Sequence, residues 1–117
     1  NLISRRAQLL ASVITQILEI APETVAIWCY GINALQPQRP TNDWDFIAFV
    51  HSTTSDDRMA ELNHLTSPLS LFRQVGTQAL DVQAMRFNDS CACANLIRQE
   101  GFCFWVQTTP KHALLAA

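Results

Sequence analysis

Helical and strand-like hydrophobic patterns alternate along this chain, which predicts an α/β (α+β) fold: a small mixed β-sheet flanked by helices. Two observations carry that expectation. Apolar residues recur at helical spacing over the first twenty positions. Short β-branched and aromatic runs then follow, separated by Gly, Pro and Ser/Thr/Asp clusters.

Each element has its own local reason. Ile3, Leu10, Val13, Ile14, Ile17 and Leu18 form one stripe, so Leu2 to Ile20 reads as a helix that Pro22 ends. The run TVAIWCY, Thr24 to Tyr30, reads as a buried strand broken by Gly31. Pro37 and Pro40 keep the second half of Gly31 to Asn42 irregular. WDFIAFV, Trp44 to Val50, is apolar on both faces and reads as a second buried strand. The polar cluster from Ser52 to Asp57 closes it and offers a cap for a helix from about Asp56 to Leu65. Pro68 to Val75 fits a short strand, a helical turn or an extended connector. In Gln78 to Phe87, Leu80, Val82 and Ala84 share one face, and Asp81, Gln83 and Met85 the other. Asn88, Asp89 and Ser90 are candidate N-caps for a helix from Cys91 to Gln99, which Gly101 stops. Phe102 to Val106 is a short last strand, and the tail after Pro110 has no assignment.

Composition bounds the function classes. The 117 residues suit one domain, 1–117. Eight basic and ten acidic residues leave a formal charge of −2, so no broad attraction to nucleic acid is expected. No apolar run approaches the ~20 residues that span a bilayer, so no membrane association is expected. Arg5, Arg6, Gln8, Gln16 and Glu19 interrupt the first apolar stretch, which argues against an anchor or a signal peptide. The chain opens on Asn1 rather than Met, so a trimmed start is expected. Of the four cysteines, Cys29 and Cys103 sit in apolar runs, and buried free thiols in a reducing cytoplasm are expected. Cys91 and Cys93 are separated by one residue, closer than the usual zinc pair. His51, His64 and His112 lack ligand spacing, and Trp28, Trp44 and Trp105 sit on strands as core candidates.

The acids are the informative feature. Asp43 and Asp45 stand two apart at the head of an apolar strand, so strand periodicity puts them on one face. Asp81 stands inside a second strand, where aspartate is a poor fit. A lone D-x-D also marks turns and solvated strand ends. Three carboxylates brought together in partly buried surroundings, however, repel one another and lose hydration. Either they take up protons or a cation neutralises them. Hard oxygen ligands select Mg²⁺ or Mn²⁺.

The stretch YGINALQPQRPTNDWDF, Tyr30 to Phe46, resembles the signature of the DNA polymerase β-like nucleotidyltransferase superfamily, and is most similar to its minimal single-domain members. Gly31 matches the family glycine, Ala34 the alanine and Asn42 the serine before the acids. Asp43 and Asp45 match the metal-binding pair, twelve residues after Gly31, and Asp81 the third carboxylate. LIRQEGFCFW, Leu96 to Trp105, resembles the family's closing helix, Glu-Gly turn and apolar strand. Two departures stand out: Ile32 replaces the serine after the glycine, and Gln36 a small loop residue.

The resemblance implies transfer of a nucleoside monophosphate from a nucleoside triphosphate to a hydroxyl. Asp43, Asp45 and Asp81 would be the catalytic metal ligands, with Mg²⁺ or Mn²⁺ as cofactor. Gly31, Ile32, Arg39 and Asn42 would line the phosphate site, Arg39 being the candidate phosphate contact and Ile32 weakening the grip. An alternative implication is a catalytically weak partner protein, such as the antitoxin of a toxin–antitoxin pair bound to a helical toxin. Homo-oligomers fit either reading. A third reading is an unrelated fold with coincidental acids.

Overall fold

The computed structural model describes residues 2–30, 43–69, 74–75 and 78–107. The order is helix α1 (Leu2–Ile20), strands β1 (Thr24–Tyr30) and β2 (Asp43–Val50), helix α2 (Asp56–Asn63), strands β3 (Gln74–Val75) and β4 (Gln78–Arg86), helix α3 (Ala92–Glu100) and strand β5 (Phe102–Val106). This is the α+β arrangement expected from the sequence pattern. Residues 31–42 and the tail from 108 lie outside the described residues, as do positions 70–73 of the ambiguous connector.

The five strands form one mixed sheet in the order β3-β4-β2-β1-β5. The pairs β1–β2, β1–β5 and β3–β4 are antiparallel, whereas β2 and β4 are parallel. β2 has neighbours on both sides, and Phe46 to Val50 are all buried, which explains its unbroken apolar run. Its two faces serve two layers. Phe46, Ala48 and Val50 join Val13 and Ile17 of α1, Leu62 of α2, and Val82 and Ala84 of β4. Ile47 and Phe49 pack instead with Ala26 and with Ile97 of α3. Helices α1 and α2 therefore cover one face and α3 the other.

A bulge between Ile27 and Trp28 inserts Phe104 into the β1–β5 ladder. Phe104 meets Phe46 edge-on at 5.5 Å, and both Phe104 and Trp105 pack against the α1 side. Trp28 packs on the α3 side, so both described tryptophans support the core as expected.

The helix ends follow from local chemistry. Ser55 Oγ accepts from Arg58 N–H at 3.1 Å, which starts α2. The N-cap of α3 is Cys91 rather than one of Asn88, Asp89 or Ser90; its Sγ accepts from Ala94 N–H at 3.4 Å. Asp89 acts one step earlier by accepting from Cys91 N–H at 2.9 Å, and that bond holds its carboxyl below the usual range. Gly101 ends α3 at φ −93°, an ordinary backbone conformation. Its need for glycine is space: an added Cβ would lie 2.5 Å from Cys29 O and 2.8 Å from Ile97 O.

β4 runs well past the two residues of β3, so much of its outer edge needs another partner. Asn63 provides one. Its Nδ2 donates to Ala84 O at 3.0 Å and its Oδ1 accepts from Ala84 N–H at 2.9 Å, as a neighbouring strand would. Asn63→Ala leaves both groups unpaired, and an expected loss of about 1–2 kcal/mol is measurable by urea denaturation.

Arg58 ties α2 to the α1–β1 turn. Its guanidinium donates to both Glu23 carboxylate oxygens, at 2.8 and 3.1 Å, to Glu61 at 2.9 Å and to Ile20 O at 2.9 Å. The Arg58 bond holds the Glu23 carboxyl below its ordinary range. The pairing therefore stabilises fully above that ordinary range and is lost as pH falls through the depressed value. Arg58→Ala is expected to cost about 1–2 kcal/mol at pH 7, with the gap to wild type narrowing in urea melts as pH falls below the ordinary carboxylate range.

Candidate functional site

Strand register decides which acids meet. β2 and β4 pair in parallel with Asp45 opposite Asp81 and Asp43 opposite Ala79. On its other side, Asp45 stands opposite Tyr30 of β1. Positions 30, 45 and 81 therefore form one row across three adjacent strands, and paired positions of adjacent strands share a face. Position 43 lies two residues back along β2, on that same face by the strand period. Neighbouring strands lie ~4.8 Å apart, so the row is compact.

This face is the α3 side. Ile47 and Phe49, the next positions along the Asp45 face, are fully buried beneath Ile97. Asp45 is half-buried. It stands at the end of that apolar wall. Tyr30 is also half-buried and packs against the same apolar cluster.

The remaining expected positions fall elsewhere. Gly31, Ile32, Arg39 and Asn42 lie outside the described residues, as do the side chains of Asp43, Trp44 and Asp81. Among the described residues, no group of three or more His, Cys, Asp or Glu side chains is placed to hold a metal ion. Of the three acids, only Asp45 has a described side chain.

Other chemistry-bearing residues have local roles. His51 Nδ1 accepts from Thr53 N–H at 3.2 Å, and His64 Nδ1 from Thr66 N–H at 3.1 Å, so each imidazole braces a turn. His112 lies outside the described residues. All four cysteines are free thiols. Cys29 is buried as expected, but Cys103 is exposed: it sits on edge strand β5, opposite Trp28, where no further strand is described.

A groove of ≈840 Å³ runs between the end of α1 and α2, lined by Glu19, Ile20, Arg58, Glu61, Leu62 and His64 among others. It belongs to the α1–α2 side, opposite the acid row. Its cation, Arg58, is already committed to Glu23 and Glu61. No described helix is long and apolar enough to cross a membrane.

Family models, curated proteins and solved structures return no match to this chain. The geometry of the row is therefore the ground for any functional reading.

Sequence reasoning singled out the acids but not Tyr30 as the register neighbour of Asp45. The available signal was its place at the very end of β1. Without the register, however, that position has no partner to point to.

Backbone positions 45 and 81 are directly opposed, and two ionised carboxylates at such a pair would repel. Asp45→Asn is expected to raise stability by roughly 0.5–1 kcal/mol, seen as a higher urea midpoint. A purely structural Asp45 gives the opposite sign.

Proposed function

We propose that this chain is a metal-dependent nucleotidyltransferase-like protein, which transfers a nucleoside monophosphate from a nucleoside triphosphate to a hydroxyl acceptor. The supporting observation is the register pairing of Asp45 with Asp81, with Asp43 two residues back on β2. In this reading the three aspartates hold Mg²⁺ or Mn²⁺. The fit lies in the donor set: carboxylates borne on adjacent paired strands suit a hard divalent cation.

A divalent cation held by Asp43, Asp45 and Asp81 would supply charge neutralisation for the triphosphate and acidity for the attacking hydroxyl. The acceptor oxygen forms a bond to the α-phosphorus, the bond to the β-phosphate bridging oxygen breaks, pyrophosphate leaves, and the hydroxyl proton passes to solvent. The chain's own work is to hold the carboxylates on rigid, paired strands, so that little reorganisation accompanies the reaction. Gly31, Ile32, Arg39 and Asn42 belong to the phosphate side of this reading. The reading sets the protein in the reducing cytoplasm, which suits four free thiols.

Ile32, in place of a phosphate-binding serine, favours a second version of the same proposal. In it the domain keeps its metal but turns over poorly, and acts as the antitoxin of a helical toxin.

Isothermal titration with Mg²⁺ and ATP separates these versions. The transferase predicts metal-dependent ATP binding, abolished in Asp43→Ala/Asp45→Ala, with label transfer from ATP down by roughly 100-fold or more in the variant. Metal binding without ATP binding selects the partner protein. Absence of both refutes the proposal.

A further inference from the structure

The groove between the end of α1 and α2 has a volume of ≈840 Å³. Ile20 of α1 and Leu62 of α2 give it apolar surface. Asp57, Ala60 and Glu61 stand at helical spacing on α2, so one face of that helix forms a wall. The small side chain of Ala60 leaves the middle of this wall open. Glu19, in the last turn of α1, lines the groove from the other helix.

Charge on this rim runs against the preference of the helices. The C-terminal end of a helix carries partial negative charge and favours cations. Glu19 and Glu61 instead place acids in the last turns of α1 and α2, and neither turn holds a basic residue. Arg58 is the one lysine or arginine among the described lining residues. Its single charge is divided between Glu23 and Glu61. Glu19 and Asp57 are both exposed. Beside this rim Leu65, between the lining residues His64 and Thr66, is 80% exposed, the highest fraction among the described large apolar side chains. A surface that joins acids to uncovered apolar area fits a partner that is itself basic and amphipathic.

We propose that this groove docks a lysine- or arginine-bearing amphipathic helix of a partner protein. Its apolar side lies over Ile20, Leu62 and Leu65, and its cations meet Glu19, Asp57 and Glu61. Lysine and arginine suit both demands, because each carries a charged head on an aliphatic stem. The groove lies on the α1–α2 side, opposite the row of positions 30, 45 and 81, so the inference stands independently of any metal there.

The test is fluorescence anisotropy of the full chain with a labelled helical peptide of about four turns, lysines on one face and leucines on the other. Wild type is expected to bind it at low ionic strength and to release most of it in about 0.5 M NaCl. Glu19→Gln/Asp57→Asn is expected to weaken binding roughly 5-fold or more. Ala60→Trp, which fills the groove at unchanged charge, is expected to weaken it as much. Ala60→Met supplies the same test if the tryptophan lowers the melting temperature. Glu100→Gln removes one charge from α3 and is expected to leave binding unchanged. A wild type that does not bind the peptide overturns the inference. So does equal binding of a peptide with glutamates in place of the lysines. An equal loss in Glu100→Gln also overturns it, because net charge alone would then drive binding. Docking needs both charge and space, so a loss confined to either the charge variant or the position-60 variants overturns it too.

Discussion

Two parallel neighbouring strands cannot be joined by a tight turn, because the chain must first return to the starting edge of the sheet. β2 and β4 are such a pair, and the intervening residues carry α2 and β3. The return path lays Leu62 onto the face formed by Phe46, Ala48, Val50, Val82 and Ala84. It also brings Asn63 to the outer edge of β4, where it completes the hydrogen bonding of Ala84. The same parallel ladder sets Asp45 opposite Asp81. One pairing therefore determines the core on the α1–α2 side, the protection of a strand edge and the meeting of two acids. A slip of one residue would move Asp45 out of line and drive Phe46 and Ala48 toward the wrong layer.

Burial on both faces of β2 gives this pairing its strength. Five consecutive residues, Phe46 to Val50, are sealed between two helical layers. That arrangement tolerates little polar chemistry in the middle of the strand, so acids are admissible only at its ends. Asp43 and Asp45 occupy the N-terminal end, where α3 finishes at Gly101 and covers no further. The apolar wall of Ile47 and Phe49 behind Asp45 lowers the local dielectric, and charge interactions at the row strengthen accordingly.

The elements themselves were legible in the sequence; their mutual arrangement was not. Leu2–Ile20, Thr24–Tyr30 and Phe102–Val106 follow directly from periodicity, β-branching and the Pro and Gly breaks beside them. Caps are less transparent, because several polar residues compete: Asp89 looks like the cap of α3, yet it braces Cys91, which does the capping. Burial fails where it depends on sheet order. Cys103 sits in an apolar run, but β5 is an edge strand and the thiol faces outward. The D-x-D pair was visible from spacing alone. That Asp81 would stand beside Asp45, and Tyr30 on its other side, required a register set by long-range packing. No local pattern encodes that.

The row also has a helix end and a set of arginines around it. Helix α3 runs toward the acids and ends against Tyr30, so its carbonyl end, which carries partial negative charge, points to the acidic side of the sheet. The basic residue in its last turn, Arg98, does not offset this. Its guanidinium reaches back to Asp89 O at 2.6 Å and Phe87 O at 2.8 Å, and lies 4.9 Å over the Phe49 ring. Those carbonyls follow the C-terminal end of β4, the far end from Asp81. Arg86 and Arg58 are likewise committed, to Thr54 and Asp56 and to Glu23, Glu61 and Ile20. The described arginines with assigned contacts thus serve structural carbonyls and carboxylates away from the row. The carbonyl end of α3 and the row of positions 30, 45 and 81 thus lie on the same side of the sheet.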